Sequence, residues 1–418
     1  MTNPRANAPA APRQLHAWHV LVLTGALIFH VSLLVSWRTG LWNRYTFDSV
    51  ATHGRKGWDF YALYQAGYNA RHGISVYSSD EIVTPVHTPY RYGPLPALTL
   101  GALLSLLPPV SALWVWAVTI ELVLVACCIY SWRLAPDLDT KVICSAMWLC
   151  YTPYYLELYL GQFTLVLAAG VLMLMNWFAH QRPLASDLLW SATLLWKPMT
   201  VLLAPVWAAR RRWRGIALAA MLTALTTLPY LLAYPDVWGH LASNLELRLG
   251  SQLGNLGVLQ LWQALFLWLS PDSSEGTVRT VLMVWSVLVV LISLVCSTCS
   301  PNTSSWKNIS LWLIVFYLVS PDVWEHHYVL LVPVFIYWHI HSRSKWVLIL
   351  YAAIALWTPY RLIDPQGLAA YDMSMRWLPL EPLWLNALYH ACKAVPVLII
   401  WGTLLHQRGW CAETRILD

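Results

Sequence analysis

Long apolar runs separated by short polar turns occupy almost all of this 418-residue chain. The first run, from about Trp18 to Trp37, has roughly 20 residues, which at 1.5 Å each cover a hydrocarbon core of about 30 Å. No small-residue cleavage site follows it, so an anchor is expected and not a removed signal. A polar stretch from about Arg38 to Gly93 comes next, long enough to build structure of its own. Pro94 to Pro108 is short for a crossing. Pro108-Pro109 forces a break there, because proline lacks the amide proton and restricts the residue before it. Val110 to Trp132 predicts a full span, Arg133 to Lys141 a turn, and Val142 to about Leu158 a further apolar stretch ended by Gly161-Gln162.

Phe163 to Phe178 is another span. Leu184 to Ala209 is apolar but carries Lys197-Pro198 at its centre. Ile216 to Leu232 crosses, and Tyr234 to Asn255 forms a second outer loop. Leu256 to Ser270 is short and Trp-rich, which suits the interface. The segments Val278 to Val295, Ile309 to Val319, Tyr328 to Ile340, Val347 to Trp357 and Pro382 to Leu405 complete the set, with Pro359 to Glu381 as a third outer loop. The pattern predicts about 10 to 13 membrane segments, several short or broken. No internal repeat and no matched pair of broken helices is visible, which weakens an inverted-repeat transporter reading.

Composition agrees. The chain is 58% hydrophobic and 11% charged, against about 25% charged in soluble domains. Its 27 Trp and 21 Tyr suit two water–lipid boundaries. The net charge of +6 is spread over turns and forms no stripe, so nucleic acid is not expected as a partner. Arg210-Arg211-Arg212 with Arg214 is the strongest positive-inside signal, and Arg343 with Lys345 suits a second cytoplasmic turn. They place the Asp59, Trp238, His326-His327 and Asp364 regions outside. Arg38, Arg44, Arg55, Lys56, Arg71 and Arg91 in the first outer loop run against that rule, and an anionic ligand there would explain them. Most cysteines lie in apolar runs, and the lone Cys296-x-x-Cys299 lacks the second pair of a metal site.

Chemistry gathers at few positions. Asp59, in Trp58-Asp59-Phe60-Tyr61, begins what reads as a short amphipathic helix at the membrane surface, where the helix dipole favours its ionised form. Such a carboxylate is a helix cap or a base. Charges inside apolar runs are functional candidates. Lys197 is either a cation for a phosphate or a lysine snorkelling from a kinked helix. Glu121 suits a hydrogen bond to a neighbouring helix. His326-His327 would diverge by about 100° on an α-helix, so that one of them faces a shared site. Arg71, Arg91 and Arg248 suit a substrate phosphate or lipid headgroups.

The ordered motifs resemble glycosyltransferase family 87, a branch of the GT-C membrane glycosyltransferases. They are Asp59-Phe60 with Ala66, Gly73 and Tyr77; Tyr92-x-Pro94-Leu95 with Leu107-Pro108; Gly161-Gln162; Lys197-Pro198; Arg212-Trp213-Arg214; and Ser320-Pro321 with Trp324 and His326-His327-Tyr328. The chain departs from the family's Tyr-Pro-Pro at Tyr92-Gly93-Pro94, and echoes its Asn-x-Ser pattern loosely at Gly254-Asn255-Leu256. The resemblance implies an inverting enzyme that uses a polyprenyl-phosphate sugar, mannose favoured, without cofactor or obligatory metal. It makes Asp59 the general base and His327 or His326 a contact to the donor phosphate.

The expectation is an all-α, polytopic GT-C-type bundle. Residues 17–406 form one transmembrane domain with an outer catalytic loop at about 38–93, between cytoplasmic tails at 1–16 and 407–418. Candidate donor- and substrate-binding residues are His326, His327, Lys197, Arg91, Tyr92, Gln162 and Arg248. The expected partners are the bilayer, a lipid-linked sugar donor and a glycolipid or surface-glycan acceptor, with the site outside a cell membrane. The rivals are a flippase or transporter of lipid-linked sugars, which needs no base, and a non-catalytic scaffold.

Overall fold

The structure, a computed structural model, describes residues 15–42, 56–235, 237–239, 254–299, 304–356, 358 and 382–406. Most of both tails and most of the second outer loop, with Arg248, lie outside the described residues, as do Arg44, Arg55 and the third outer loop with Asp364. In chain order the helices are α1 (Ala17–Thr39), α2 (Trp58–Arg71), α3 (Pro94–Leu104, with a π turn at Ala97–Gly101) and α4 (Pro109–Leu134). Next come α5 (Leu138–Leu149), α6 (Pro153–Leu160), α7 (Thr164–Ala179), α8 (Pro183–Trp196) and α9 (Pro198–Ala209). Then follow α10 (Trp213–Ala233), α11 (Val258–Leu269), α12 (Glu275–Cys299) and α13 (Ser305–Val319). A 3-10 turn (Glu325–Leu330) leads to α14 (Leu331–Ser342), and α15 (Lys345–Ala355) and α16 (Trp384–His406) complete the chain.

Among the described residues the only extended pairing is a single bridge between Asn255 and Trp324. Lipid offers no water to backbone N–H and C=O groups, and helices satisfy them within one segment. Among the described residues five helices, α1, α4, α10, α12 and α16, are long and apolar enough to cross a membrane, and α3, α7, α9, α11, α13 and α15 are shorter apolar helices. The protein is an all-α polytopic membrane protein.

Proline decides where five of these helices start. It opens α3, α4, α6, α8 and α9, at positions where its missing N–H has no helical partner anyway. Two sequence expectations are corrected as a result. Val142 to Leu158 is not one stretch but the two helices α5 and α6. They break at Thr152, whose N–H and hydroxyl both turn to the Ala355 carbonyl, at 3.2 and 2.5 Å. Leu184 to Ala209 does not run straight through either. At Lys197-Pro198 it doubles back, so α8 and α9 lie antiparallel. Trp190 Nε1 donates to the Thr200 carbonyl at 2.9 Å, and Trp207 Nε1 donates to Asp187 at 2.6 Å.

Polar ties gather the helix ends into two poles. At one, His19 meets Asp139 at 2.6 Å, Arg343 pairs with Asp137, Arg212 pairs with Asp187 at 2.6 Å, and Arg210 reaches Ser305 at 3.4 Å. The hairpin α8–α9 starts and ends there. Its tip, Lys197, therefore lies about 20 Å away, the length of the 14-residue α8. The opposite pole holds the start of α2, the Gly161-Gln162 turn and the segment before α14. Between the poles, Glu121 bonds His30 at 2.9 Å and also accepts from the Tyr154 hydroxyl, so it makes the interhelical hydrogen bonds its position suggested.

Helix α2 is not the amphipathic surface helix that the sequence pattern suggests. Phe60 to Gly67 are all buried, because α3 folds across the outward side. Small residues permit the crossing: a Cβ on Gly67 would lie 1.9 Å from the Gly101 carbonyl carbon, and one on Gly101 would lie 2.6 Å from the Leu63 carbonyl oxygen. Arg71 closes the contact by donating to the Ser105 carbonyl at 2.7 Å, which commits a cation otherwise suited to headgroups. Gly67→Ala should cost about 1–3 kcal/mol or more of stability through overpacking. Gly25→Ala, where nothing lies within 4 Å, should not. Thermal unfolding in detergent compares the two, and equal midpoints would refute the close crossing.

Candidate active site

Asp59 reaches the second pole because the start of α2 is docked on the Gly161-Gln162 turn. The Gly57 N–H donates to the Tyr159 carbonyl at 2.8 Å, and Trp116 Nε1 donates to the Gly161 carbonyl at 2.9 Å. Gly161 ends α6 at φ +66°, and a Cβ there would lie 2.5 Å from Cβ of Phe60. A side chain at position 161 would thus lift α2 off the turn. Gly57, not Asp59, occupies the N-cap position, and no side chain caps this helix. The helix-cap reading of Asp59 is corrected: its carboxylate accepts a hydrogen bond from the Gln162 side chain instead.

Gln162 connects the remaining groups. Its Nε2 donates to the Tyr92 hydroxyl at 3.3 Å, and its Oε1 lies 3.5 Å from Nζ of Lys197. Lys197 also donates to Thr164 Oγ1 at 3.1 Å and lies 5.7 and 5.6 Å from the ring centres of Tyr92 and Phe163. With only 5% of its surface exposed, this ammonium does not snorkel to a boundary; it stays inside at the break between α8 and α9. Tyr77 donates to the Tyr92 carbonyl at 2.7 Å and fixes that loop, leaving Arg91 exposed beside the site. Burial pushes the half-buried Asp59 carboxyl above the ordinary carboxylate range. The Gln162 hydrogen bond and the Lys197 and Arg91 charges pull it back down, and the Asp322 carboxylate acts upward.

His326 and His327 come in from the 3-10 turn before α14, within the field of Lys197. Asn255 holds that segment, its Oδ1 accepting from the Val323 N–H at 3.0 Å and its Nδ2 donating to the Pro321 carbonyl at 2.7 Å. The Tyr317 hydroxyl donates to the His327 carbonyl at 2.6 Å. The two rings are not splayed as on an α-helix. Their centres are 4.2 Å apart. Burial and the Lys197 charge push both imidazoles well below their ordinary pKa. Nδ1 of His327 accepts the Trp324 N–H at 3.1 Å, so the neutral ring carries its proton on Nε2 and offers a donor there. His326 is buried with neither ring nitrogen hydrogen-bonded within the protein.

Asp59, Tyr92, Gln162, Lys197, Arg91 and the histidine pair thus share one site, while Arg248 lies outside the described residues. Glu157, Thr164 and Asp322 also belong to it and were not singled out by the sequence pattern. Glu157 sits inside an apolar run, and the rule that flags Lys197 and Glu121 would have found it. Behind the histidines, Lys393 of α16 pairs with Glu325 at 3.5 Å and donates to the Ile354 carbonyl at 2.5 Å. Thr358 donates to the same carboxylate at 3.0 Å. Among the described residues no three His, Cys, Asp or Glu side chains form a metal-ligating group. A carboxylate, an ammonium, a guanidinium and an imidazole donor in one place can take a proton from a hydroxyl and steady a developing anion.

The model of glycosyltransferase family 87 matches residues 90–321, more than half of the chain. The chain belongs to glycosyltransferase family 87. No curated protein matches it. The family 87 stretch contains Arg91, Tyr92, Gln162 and Lys197, while Asp59 and the two histidines lie on either side of it and join it through the fold. Family membership makes this protein a membrane glycosyltransferase that works on sugar substrates in a lipid bilayer.

The raised pKa of Asp59 has a thermodynamic sign. The fold favours the protonated carboxyl, a contribution present below the unfolded value of 3.8 and lost as pH rises through the folded one. At neutral pH the ionised form therefore costs stability. Asp59→Asn should raise the thermal midpoint at pH 7, and the gain should shrink toward pH 4. A lower midpoint at pH 7 would mean that the carboxylate serves the fold.

Proposed function

We propose that this protein transfers a hexose, mannose before glucose or arabinose, from a polyprenyl-phosphate sugar to a hydroxyl of a glycolipid or surface glycan on the outer face of a cell membrane. The observation that carries the reading is the convergence of Asp59, Gln162, Lys197, Arg91 and the His326-His327 turn at the pole away from the cation-rich helix ends. By the positive-inside rule those cationic ends face the cytoplasm. The reacting pole then faces outward.

In this reading Asp59 takes the proton of the acceptor hydroxyl as its oxygen attacks the anomeric carbon. The bond between that carbon and the donor phosphate oxygen breaks, and the anomeric configuration inverts. The phosphate leaves with its negative charge grown. Arg91 supplies a cation for it, Lys197 a positive field from below, and His327 a neutral N–H donor from Nε2. Groups that meet charge only as it develops lower the barrier without tightening ground-state binding. No cofactor is needed, and the protein's own donors carry the phosphate.

The test supplies purified protein with labelled polyprenyl-phosphate mannose and a lipid extract from its source as acceptor. A labelled glycoside should form, and Asp59→Asn should reduce its rate by at least about two decades, the usual contribution of a positioned base. Donor that crosses the bilayer unchanged, at a rate indifferent to Asp59→Asn, would make the protein a flippase. His327→Ala should lower kcat clearly while raising KM for the donor only modestly, because its partner is the charge of the transition state. Single cysteines at positions 59, 238 and 327 in a thiol-free background should react with an impermeant reagent from outside, and those at 212 and 345 from inside. Labelling of 59 and 327 from opposite faces would end the single-site reading.

A further inference from the structure

Lys393 has no part in the transfer chemistry above. It is buried on α16, and its Nζ donates to the Ile354 carbonyl at 2.5 Å and to the Leu356 carbonyl. The last carbonyls of a helix lack partners within it, so these bonds alone would make Lys393 a cap for α15. Two observations go beyond a cap. The same ammonium lies 3.5 Å from Oε1 of Glu325, the residue before His326. Thr358, just past the end of α15, donates its hydroxyl to that same oxygen at 3.0 Å. One buried oxygen thus ties the histidine turn to the end of α15 through two donors from different parts of the chain. The carbonyl between, Ala355, accepts from Thr152 at the start of α6, the helix that ends in the Gly161-Gln162 turn. Both halves of the reacting pole rest on three successive carbonyls.

We propose that Lys393 and Thr358 are positioning residues for the leaving-group donor: by fixing Glu325 they keep the Trp324 N–H on Nδ1 of His327, and so keep the proton of that ring on Nε2. This role rests on His327 meeting the departing phosphate. Glu325 sits inside a closed backbone loop. The Trp324 N–H donates to Nδ1 of His327 at 3.1 Å, and the His327 N–H donates to the Trp324 carbonyl at 2.9 Å. The Tyr317 hydroxyl holds the far end of the loop through the His327 carbonyl at 2.6 Å.

A neutral imidazole carries one proton, and the hydrogen bond at one nitrogen decides that the proton sits on the other. With the Trp324 N–H in line, Nδ1 accepts and Nε2 donates. Without it the two tautomers compete, and the one protonated at Nδ1 offers a lone pair from Nε2, which an anion cannot use. Removing the donors to Glu325 would bring this about. A buried carboxyl group stripped of its partners is costly, so Glu325 would leave its place and draw the 324–327 backbone with it.

The experiment measures kcat and KM for labelled polyprenyl-phosphate mannose in the glycoside assay, with the full chain in detergent. The variants are Lys393→Met, Thr358→Val and Thr358→Ser, with the first two also made on His327→Ala. Lys393→Met should lower kcat about tenfold to a hundredfold, the loss expected when a reacting group shifts by up to about 1 Å. KM for the donor should hardly change, because the interaction lost belongs to the transition state. Thr358→Val should lower kcat about fivefold, the net worth of one hydrogen bond, and Thr358→Ser, which keeps the hydroxyl, should restore it. On His327→Ala neither change should lower kcat further, since the ring they aim is gone. Support for the fold alone would give the same loss in both backgrounds. Additive losses, an unchanged kcat in Lys393→Met and Thr358→Val, or a change in KM alone would overturn the proposal and leave Lys393 a helix cap. Should Lys393→Met fail to fold, Thr358→Val and its cycle with His327→Ala must show the loss, or the proposal fails. The two claims stay apart: full kcat in His327→Ala removes the phosphate contact and the positioning role with it, whereas a clear loss there with additive effects removes only the positioning role. A wild type that forms no glycoside ends both.

Discussion

A buried ammonium must find its partners inside the protein. That single requirement, imposed on Lys197 at the tip of the α8–α9 hairpin, organises the reacting pole. The proline after it stops the helix. The residues around it are the few polar groups that α6, α7 and the loop before α3 can offer. Gln162 and Thr164 face the ammonium and accept its hydrogens. Tyr92 and Phe163 cover it with ring faces, which attract a cation where water is scarce. Asp59 joins this arrangement only because Gly161 lets α2 lie directly on the turn.

The site is less charged than its residue list suggests. Two of its cationic candidates, the histidines, are neutral by burial, and the ammonium is shared among carboxylates. The exposed guanidinium of Arg91 also acts on Asp59. An anion entering here would meet mostly neutral donors and one exposed cation. In a low-dielectric setting such donors act strongly, and they need no reorganisation as charge develops.

Much of this was legible in the sequence. Hydropathy gave the fold class, and the prolines at 94, 109 and 198 marked real helix starts. Lys197-Pro198 stood out because a charge in an apolar run is costly. What hydropathy could not show was direction. An apolar segment broken at its middle looks the same whether the chain continues or turns back, and only the Asp187–Arg212 and Trp190–Thr200 contacts decide it. The burial of α2 was hidden for a similar reason. Its cover comes from α3, through a backbone crossing that leaves no mark on periodicity. Glu157 was overlooked amid tyrosines and leucines, although the reasoning applied to Glu121 held for it too.

The pairing of Glu325 with Lys393 bears on how such a protein is made. Glu325 directly precedes His326, but its counter-charge arrives on α16, the last described helix. Membrane proteins are inserted from the N-terminus onward, so the histidine turn forms beside a carboxylate whose counter-charge lies 68 residues further along the chain. Until α16 comes in, that turn has reason to stay near the boundary, where water can hydrate the acid. The pole that holds the histidine turn is therefore closed when α16 inserts, and a chain stopped short of α16 would carry Asp59, Lys197 and both histidines without the ion pair that braces the turn.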